Sequence, residues 1–163
     1  NTTTVQTFVS INRGPAGVVN TGKIQWFEPM DRKVGPATGF SVDALDKLPR
    51  VDVIYAHANM SADLIDAAIK NGAKGLVIAG VGDGNMTTPA LDAVTRAAKS
   101  GIVVVRSTRL ASGITLRNNE VNDDEKGLVA SGELNPAKSR VLLQLALTQT
   151  NDPVQIQRMF YEY

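Results

Sequence analysis

Gly75-Leu-Val-Ile-Ala-Gly-Val-Gly-Asp-Gly-Asn85, followed by Met86-Thr-Thr-Pro89, decides the fold of this chain. The apolar run reads as a strand. It feeds a loop with glycines at 80, 82 and 84, and a helix is predicted to begin at Thr88-Pro89. A strand, a loop and a helix N-terminus in succession form the place where open α/β sheets bind small polar ligands. Glycine lets the backbone turn sharply and approach a ligand closely. Asp83 and Asn85 are the polar side chains that such a loop would present.

Working outward, strands and helices alternate on both sides of this stretch. Val51 to Tyr55 reads as a strand. Ser61 to Lys70 reads as a helix with Leu64, Ile65, Ala68 and Ile69 on one face and Gly72 just past its end. Pro89 to Lys99 is predicted helical, with Gly101 after it. Ile102 to Val105 is nearly all β-branched, as expected of a strand covered on both faces. Gly127 to Ala130 reads as a shorter fourth strand. Asn135-Pro136 opens a long helix through Leu147, and Asp152-Pro153 opens a last short one. Thr88, Asn135 and Asp152 each precede a proline. Each can accept from a first-turn amide, and proline lacks the N–H that would go unpaired there. The expectation is a small three-layer α/β domain with a parallel sheet, Rossmann-like, over residues 50–163.

The first part reads differently. Val5 to Val9 alternates like a strand, and Val18-Val19, Asn20-Thr-Gly22 and Lys23 to Phe27 read as an antiparallel hairpin. Residues 1–28 are therefore expected to be β-structure of another domain, and 29–49, with Pro29, Gly35 and Pro36, a linker. The chain has 163 residues, 43% hydrophobic and 20% charged, and a formal net charge of +1. Scattered Lys and Arg give no basic surface for nucleic acid. No apolar run has the length of a membrane span. Without cysteine there are no disulfides, thiolate nucleophiles or cysteine metal sites. The opening at Asn1, with no initiator Met and no leader, suggests a processed product or a fragment.

Gly80-x-Gly82-x-x-Asn85 lacks the third glycine of a dinucleotide fingerprint. The next strand leads into Arg106-Ser-Thr-Arg109 rather than an acidic residue. Those arginines could suit a 2′-phosphate, so an NADP-binding domain is one alternative. The other is that the glycines simply make a tight turn. His57 is the only histidine and has no carboxylate pair at ligand spacing, so it is expected in a loop as a structural or exposed imidazole. The acidic stretch Asn118 to Lys126 is either a solvated loop, or a loop that points one carboxylate, Glu120 by preference, into a ligand site or subunit boundary.

The same residues carry a family resemblance. Asn1-Thr-Thr-Thr-Val-Gln-Thr-Phe, Leu48 to Tyr55, Ala79 to Asn85, Val104 to Arg109, Ala130 to Pro136, Arg140 to Thr148 and Ile156 to Tyr163 together resemble the C-terminal half of the bacterial type II L-asparaginases. That family includes the glutaminase-asparaginases. The resemblance runs over the whole chain in order.

It implies an amidohydrolase that converts L-asparagine to L-aspartate and ammonia, with weaker glutaminase activity, by acyl transfer through a threonine and without a cofactor. The family's nucleophile motif, Thr-Gly-Gly-Thr-Ile, and its His-Gly-Thr-Asp-Thr motif do not occur here, and its essential lysine lies just upstream of the segment that Asn1 begins. The resemblance therefore places no catalytic residue in this chain and implies inactivity without the other half. Matched residue by residue, Asn85 and Glu120 bind substrate, completing a neighbouring subunit's site, and Gly82, Asp83 and Gly84 support the loop. A carboxylate suits the α-ammonium of an amino acid. Asparagine at 85, where more glutaminase-active members tend to have serine, leans toward asparagine. The common loop is Gly-Asn-Gly-Asn, so Asp83 is a departure that adds a negative charge near the site. The resemblance further implies a periplasmic or secreted homotetramer, a dimer of dimers. The rival to this reading is a module that binds an amino acid without chemistry.

Overall fold

The computed structural model describes residues 3–27 and 32–163, which divide into two compact units, 1–32 and 33–163. In the first unit, β1 (Gly17–Asn20) and β2 (Lys23–Trp26) pair antiparallel, with Gly17 opposite Trp26 and Asn20 opposite Lys23. The two turn residues, Thr21 and Gly22, have φ of 50° and 76°. Positive φ at both positions matches the turn to the right-handed twist of its strands. The strand expected over Val5 to Val9 does not form; those residues are bends and coil. The Thr4 hydroxyl donates to the Gln6 carbonyl, and the Thr7 hydroxyl to the Thr4 carbonyl. Such local bonds offer the backbone an alternative to a ladder.

The second unit is a four-stranded parallel sheet in the order β3 (Val51–Tyr55), β4 (Gly75–Gly80), β5 (Val103–Thr108), β6 (Val129–Ala130). Alternation of side chains sends neighbours to opposite faces. Leu76, Ile78 and Val104 pack under α1 (Asp63–Lys70) and α2 (Thr88–Lys99), with Ile65, Ala93, Val94 and Ala97. Val77, Val103, Val105 and Val129 pack under α4 (Pro136–Ala146) and α5 (Pro153–Glu162), with Leu143, Ala146, Ile156 and Phe160. A four-residue helix, α3 (Asp123–Lys126), lies between β5 and β6. This is the expected three-layer arrangement. Residues 33 onward belong to this unit: the Tyr163 hydroxyl donates to the Thr38 carbonyl at 2.8 Å, and its ring packs 5.2 Å from that of Phe40. Among the described residues no helix is long and apolar enough to cross a membrane.

Three local readings change. Asn135 and Asp152 cap their helices through the amides of Lys138 and Val154. The third cap position is Thr87, not Thr88, and its hydroxyl donates to the Met60 carbonyl at 2.7 Å instead of capping α2. A tertiary partner has drawn it away. The fourth strand is two residues long, because Gly127 adopts φ 71° to close α3 and the Leu128 amide bonds back to Asp123. Its outer edge is finished by a side chain: the Gln157 amide accepts from the Ala130 N–H at 2.8 Å and donates to the Ala130 carbonyl at 3.1 Å. The third strand, expected over Ile102 to Val105 and leading into Arg106, runs on through Arg106, Ser107 and Thr108, all buried.

Candidate functional site

The glycine loop leaves β4 at the carboxyl edge of the sheet. The Val81 and Asn85 amides and carbonyls exchange two hydrogen bonds of 2.8 Å, closing a tight loop over residues 81–85. Two of its glycines are required by close approach. A Cβ on Gly80 would sit 2.4 Å from the Gly84 carbonyl carbon. A Cβ on Gly84, at φ 75°, would sit 2.8 Å from Thr115 Cγ2 and 2.9 Å from Arg106 Nη1. Gly82 also has positive φ but faces open space.

The acidic stretch folds beside this loop. Asn85 Nδ2 donates to Glu120 Oε2 at 3.0 Å, and Asn85 Oδ1 accepts from the Met86 amide at 3.1 Å. The Asn85 amide is thus oriented by its own backbone, and both side chains are exposed. Thirty-five residues separate these two in sequence. Asp83 turns toward the acidic stretch: Oδ1 accepts from the Leu116 amide at 2.6 Å and Oδ2 from Asn119 Nδ2 at 2.7 Å.

Beneath both loops lies Arg106. Its side chain and that of Asp123 are each 0% exposed, and they pair through Nε at 2.6 Å and Nη2 at 2.7 Å. The rest of the guanidinium bonds main-chain oxygens of both loops: Nη1 to Asp83 at 2.8 Å and more distantly to Gly84, and Nη2 to Leu116 at 3.0 Å. Its fork of five donors is what lets one cation hold three segments together. Arg106 is therefore unavailable to a nucleotide phosphate, and Arg109 spends one donor on the Ala56 carbonyl at 2.7 Å.

The acidic stretch is not a loose solvated loop. Arg117 joins the Leu128 carbonyl, Gln157 and Asp124. Asn118, at φ 56°, donates through Nδ2 to Asp124, and its own amide donates to Asp123. Asn122 caps α3 through the Glu125 amide. The bond from Asn118, and after it that from Arg117, hold the Asp124 carboxyl below the usual carboxylate range. His57 is exposed, its Nδ1 2.8 Å from the Ala58 carbonyl, and the described residues contain no cluster that could hold a metal ion. The roles of Arg106, Asp123, Arg117 and Gln157 escaped the sequence reading, since the side-chain partners that define them lie between seven and 40 residues away.

Residues 50–160 match the family of the Glutaminase/Asparaginase C-terminal domain. The chain belongs to this family. Along its full length it is 48% identical to L-asparaginase 2 of Escherichia coli K12 and 47% identical to the probable periplasmic L-asparaginase of Haemophilus influenzae, covering 47% of each. It is 36% identical over 151 residues to a glutaminase-asparaginase of Pseudomonas fluorescens, covering 42% of that protein. The chain thus spans about half the length of the curated relatives it matches. Asn85 and Glu120 lie side by side, exposed, beyond the carboxyl end of β4.

Proposed function

We propose that this chain is the C-terminal portion of an L-asparaginase that hydrolyses L-asparagine to L-aspartate and ammonia, with weaker action on glutamine. The attacking threonine belongs to the N-terminal half, and this chain contributes no catalytic residue. Glu120 receives the α-ammonium of a substrate bound by a neighbouring subunit, and Asn85 orients it, with Gly82, Asp83 and Gly84 shaping the loop. One observation carries the reading: an exposed carboxylate is held by an amide that is itself held, so a cation-binding oxygen is fixed before substrate arrives. Hydrogen bonds between ions are about twice as strong as neutral ones, which suits a substrate that is a zwitterion.

Under the same proposal, residues 1–28 are the end of the N-terminal domain and 29–49 the linker, which from residue 33 onward packs as part of the α/β unit. The exposed Val19, Ile24 and Trp26 of the hairpin support this, being surface that a further domain would cover. Assembly is as a dimer of dimers, and residence is periplasmic or secreted, as the name of the Haemophilus relative suggests.

The test is ammonia release from asparagine by the chain joined to its N-terminal half. Glu120→Gln keeps the size and removes the charge. Loss of one charge-assisted bond raises KM by roughly 10- to 100-fold. An unchanged KM refutes the role given to Glu120. Absence of asparaginase activity in the complete, folded protein refutes the function.

A further inference from the structure

We infer that Asp83 is a positioning residue for Glu120, acting through hydrogen bonds rather than through its charge. This rests on the substrate role proposed for Glu120. The glycine loop grips the segment Leu116 to Glu120 at three points: Asp83 holds the Leu116 amide and the Asn119 side chain, and Asn85 holds the Glu120 carboxylate. Asn119 immediately precedes Glu120, so Asp83 fixes the backbone from which Glu120 projects while Asn85 fixes its tip. Asp83 and Leu116 are joined a second time, since their carbonyls accept from Nη1 and Nη2 of the same Arg106. Two side chains on one closed loop therefore set both ends of the glutamate.

Orientation separates this role from electrostatics. Both Asp83 oxygens are engaged by N–H donors of the Leu116 to Asn119 segment, so the carboxylate is spent on positioning that segment. Asparagine at 83 would preserve the arrangement. Its Oδ1 still accepts from Leu116, and its Nδ2 donates to Asn119 once that amide turns its oxygen inward; the two amide orientations are equivalent in shape. Alanine would remove both bonds.

The experiment uses the complete enzyme and four variants: Asp83→Ala, Asp83→Asn, Glu120→Ala, and Asp83→Ala with Glu120→Ala. Asp83→Ala is expected to raise KM for asparagine about three- to tenfold, with the change falling on KM rather than kcat. Asp83→Asn stays within about twofold of the parent. In the Glu120→Ala background, Asp83→Ala adds less than about twofold, since a residue that acts through another loses its effect when that other is gone. Hydrogen exchange supplies a readout independent of turnover: the Leu116 amide is exposed faster in Asp83→Ala and not in Asp83→Asn, while β4 amides stay protected. Equal effects of alanine and asparagine would assign Asp83 an electrostatic role and overturn the inference. So would additive KM effects in the double variant, or an unaltered Leu116 amide. A Glu120→Ala enzyme with unchanged KM sinks the substrate role of Glu120 and the inference with it. An impaired Glu120→Ala enzyme with additive Asp83→Ala sinks the inference alone.

Discussion

Truncating Asp123 to alanine isolates what the buried ion pair contributes. Asp123 accepts from Arg106 Nε and Nη2 and from the Asn118 amide at 2.9 Å, with no solvent to replace it. Removing it leaves a guanidinium uncompensated in the interior, held only by the carbonyls of Asp83, Gly84 and Leu116. Breaking a buried pair this way costs about 3–5 kcal/mol. That is a large share of a stability that for a unit this size lies at roughly 7–20 kcal/mol. The chain should still fold, with its thermal midpoint lowered by about 10 °C and its urea midpoint lowered by about 2 M. Asp123→Asn should be nearly as damaging, because it removes the charge that balances Arg106 and, with its oxygen in the place of Oδ2, turns an NH2 donor toward the Arg106 Nε–H that Oδ1 accepted from. Arg106→Met with Asp123→Leu removes both charges, yet strands the three carbonyls. The double variant should therefore cost less than the sum of the singles by about 2–3 kcal/mol without returning to the parent. Urea denaturation of the parent, Arg106→Met, Asp123→Leu and the double variant, with an unchanged slope, gives the cycle. A loss below about 1 kcal/mol for Asp123→Ala, or simple additivity, would refute the claim that this pair ties the two loops together.

Three further outcomes follow from the same geometry. Gly84→Ala should destabilise by about 2–4 kcal/mol, through positive φ and collision with Thr115 and Arg106, whereas Gly82→Ala, strained only in φ, should cost about 1 kcal/mol; thermal denaturation separates them. Gln157→Ala should cost about 2–3 kcal/mol by chemical denaturation, since it leaves the Ala130 amide and carbonyl without their partner and loosens Arg117. Asp124 has a depressed carboxyl pKa, so its contribution is complete above the ordinary carboxylate value and is lost as pH falls through the lower, folded-state value. Asp124→Asn should therefore flatten the acid limb of the stability curve below about pH 4, and parallel curves for parent and variant would contradict this.

Much of the architecture can be read along the chain because its causes are local. The period of apolar residues distinguishes β3 and β4 from α1 and α2, and the β-branched run of β5 announces a strand covered on both faces. The pairs Asn135-Pro136 and Asp152-Pro153 start helices through bonds spanning two or three residues. In Asn20-Thr-Gly22 the glycine marks the turn by its freedom to take positive φ, although Thr21 adopts it too. Where a partner comes from afar, such reasoning stops. Thr88 looks like the cap of α2, but the cap position is Thr87 and the Met60 carbonyl takes its hydroxyl. Val5 to Val9 looks like a strand, but the Thr4 and Thr7 hydroxyls bond locally to the Gln6 and Thr4 carbonyls and no ladder forms there.

The sequence by itself determined the parallel sheet, its two helical layers, the glycine loop at the end of β4 and, through resemblance, the names Asn85 and Glu120. Tertiary structure alone decided that these two touch across 35 residues, that Asp83 faces the acidic stretch, and that Arg106 is an interior cation rather than a phosphate ligand. The physical reason is the same in each case. A buried charge or a bare strand edge is tolerable only when folding delivers its partner, and no local pattern encodes which distant residue that will be.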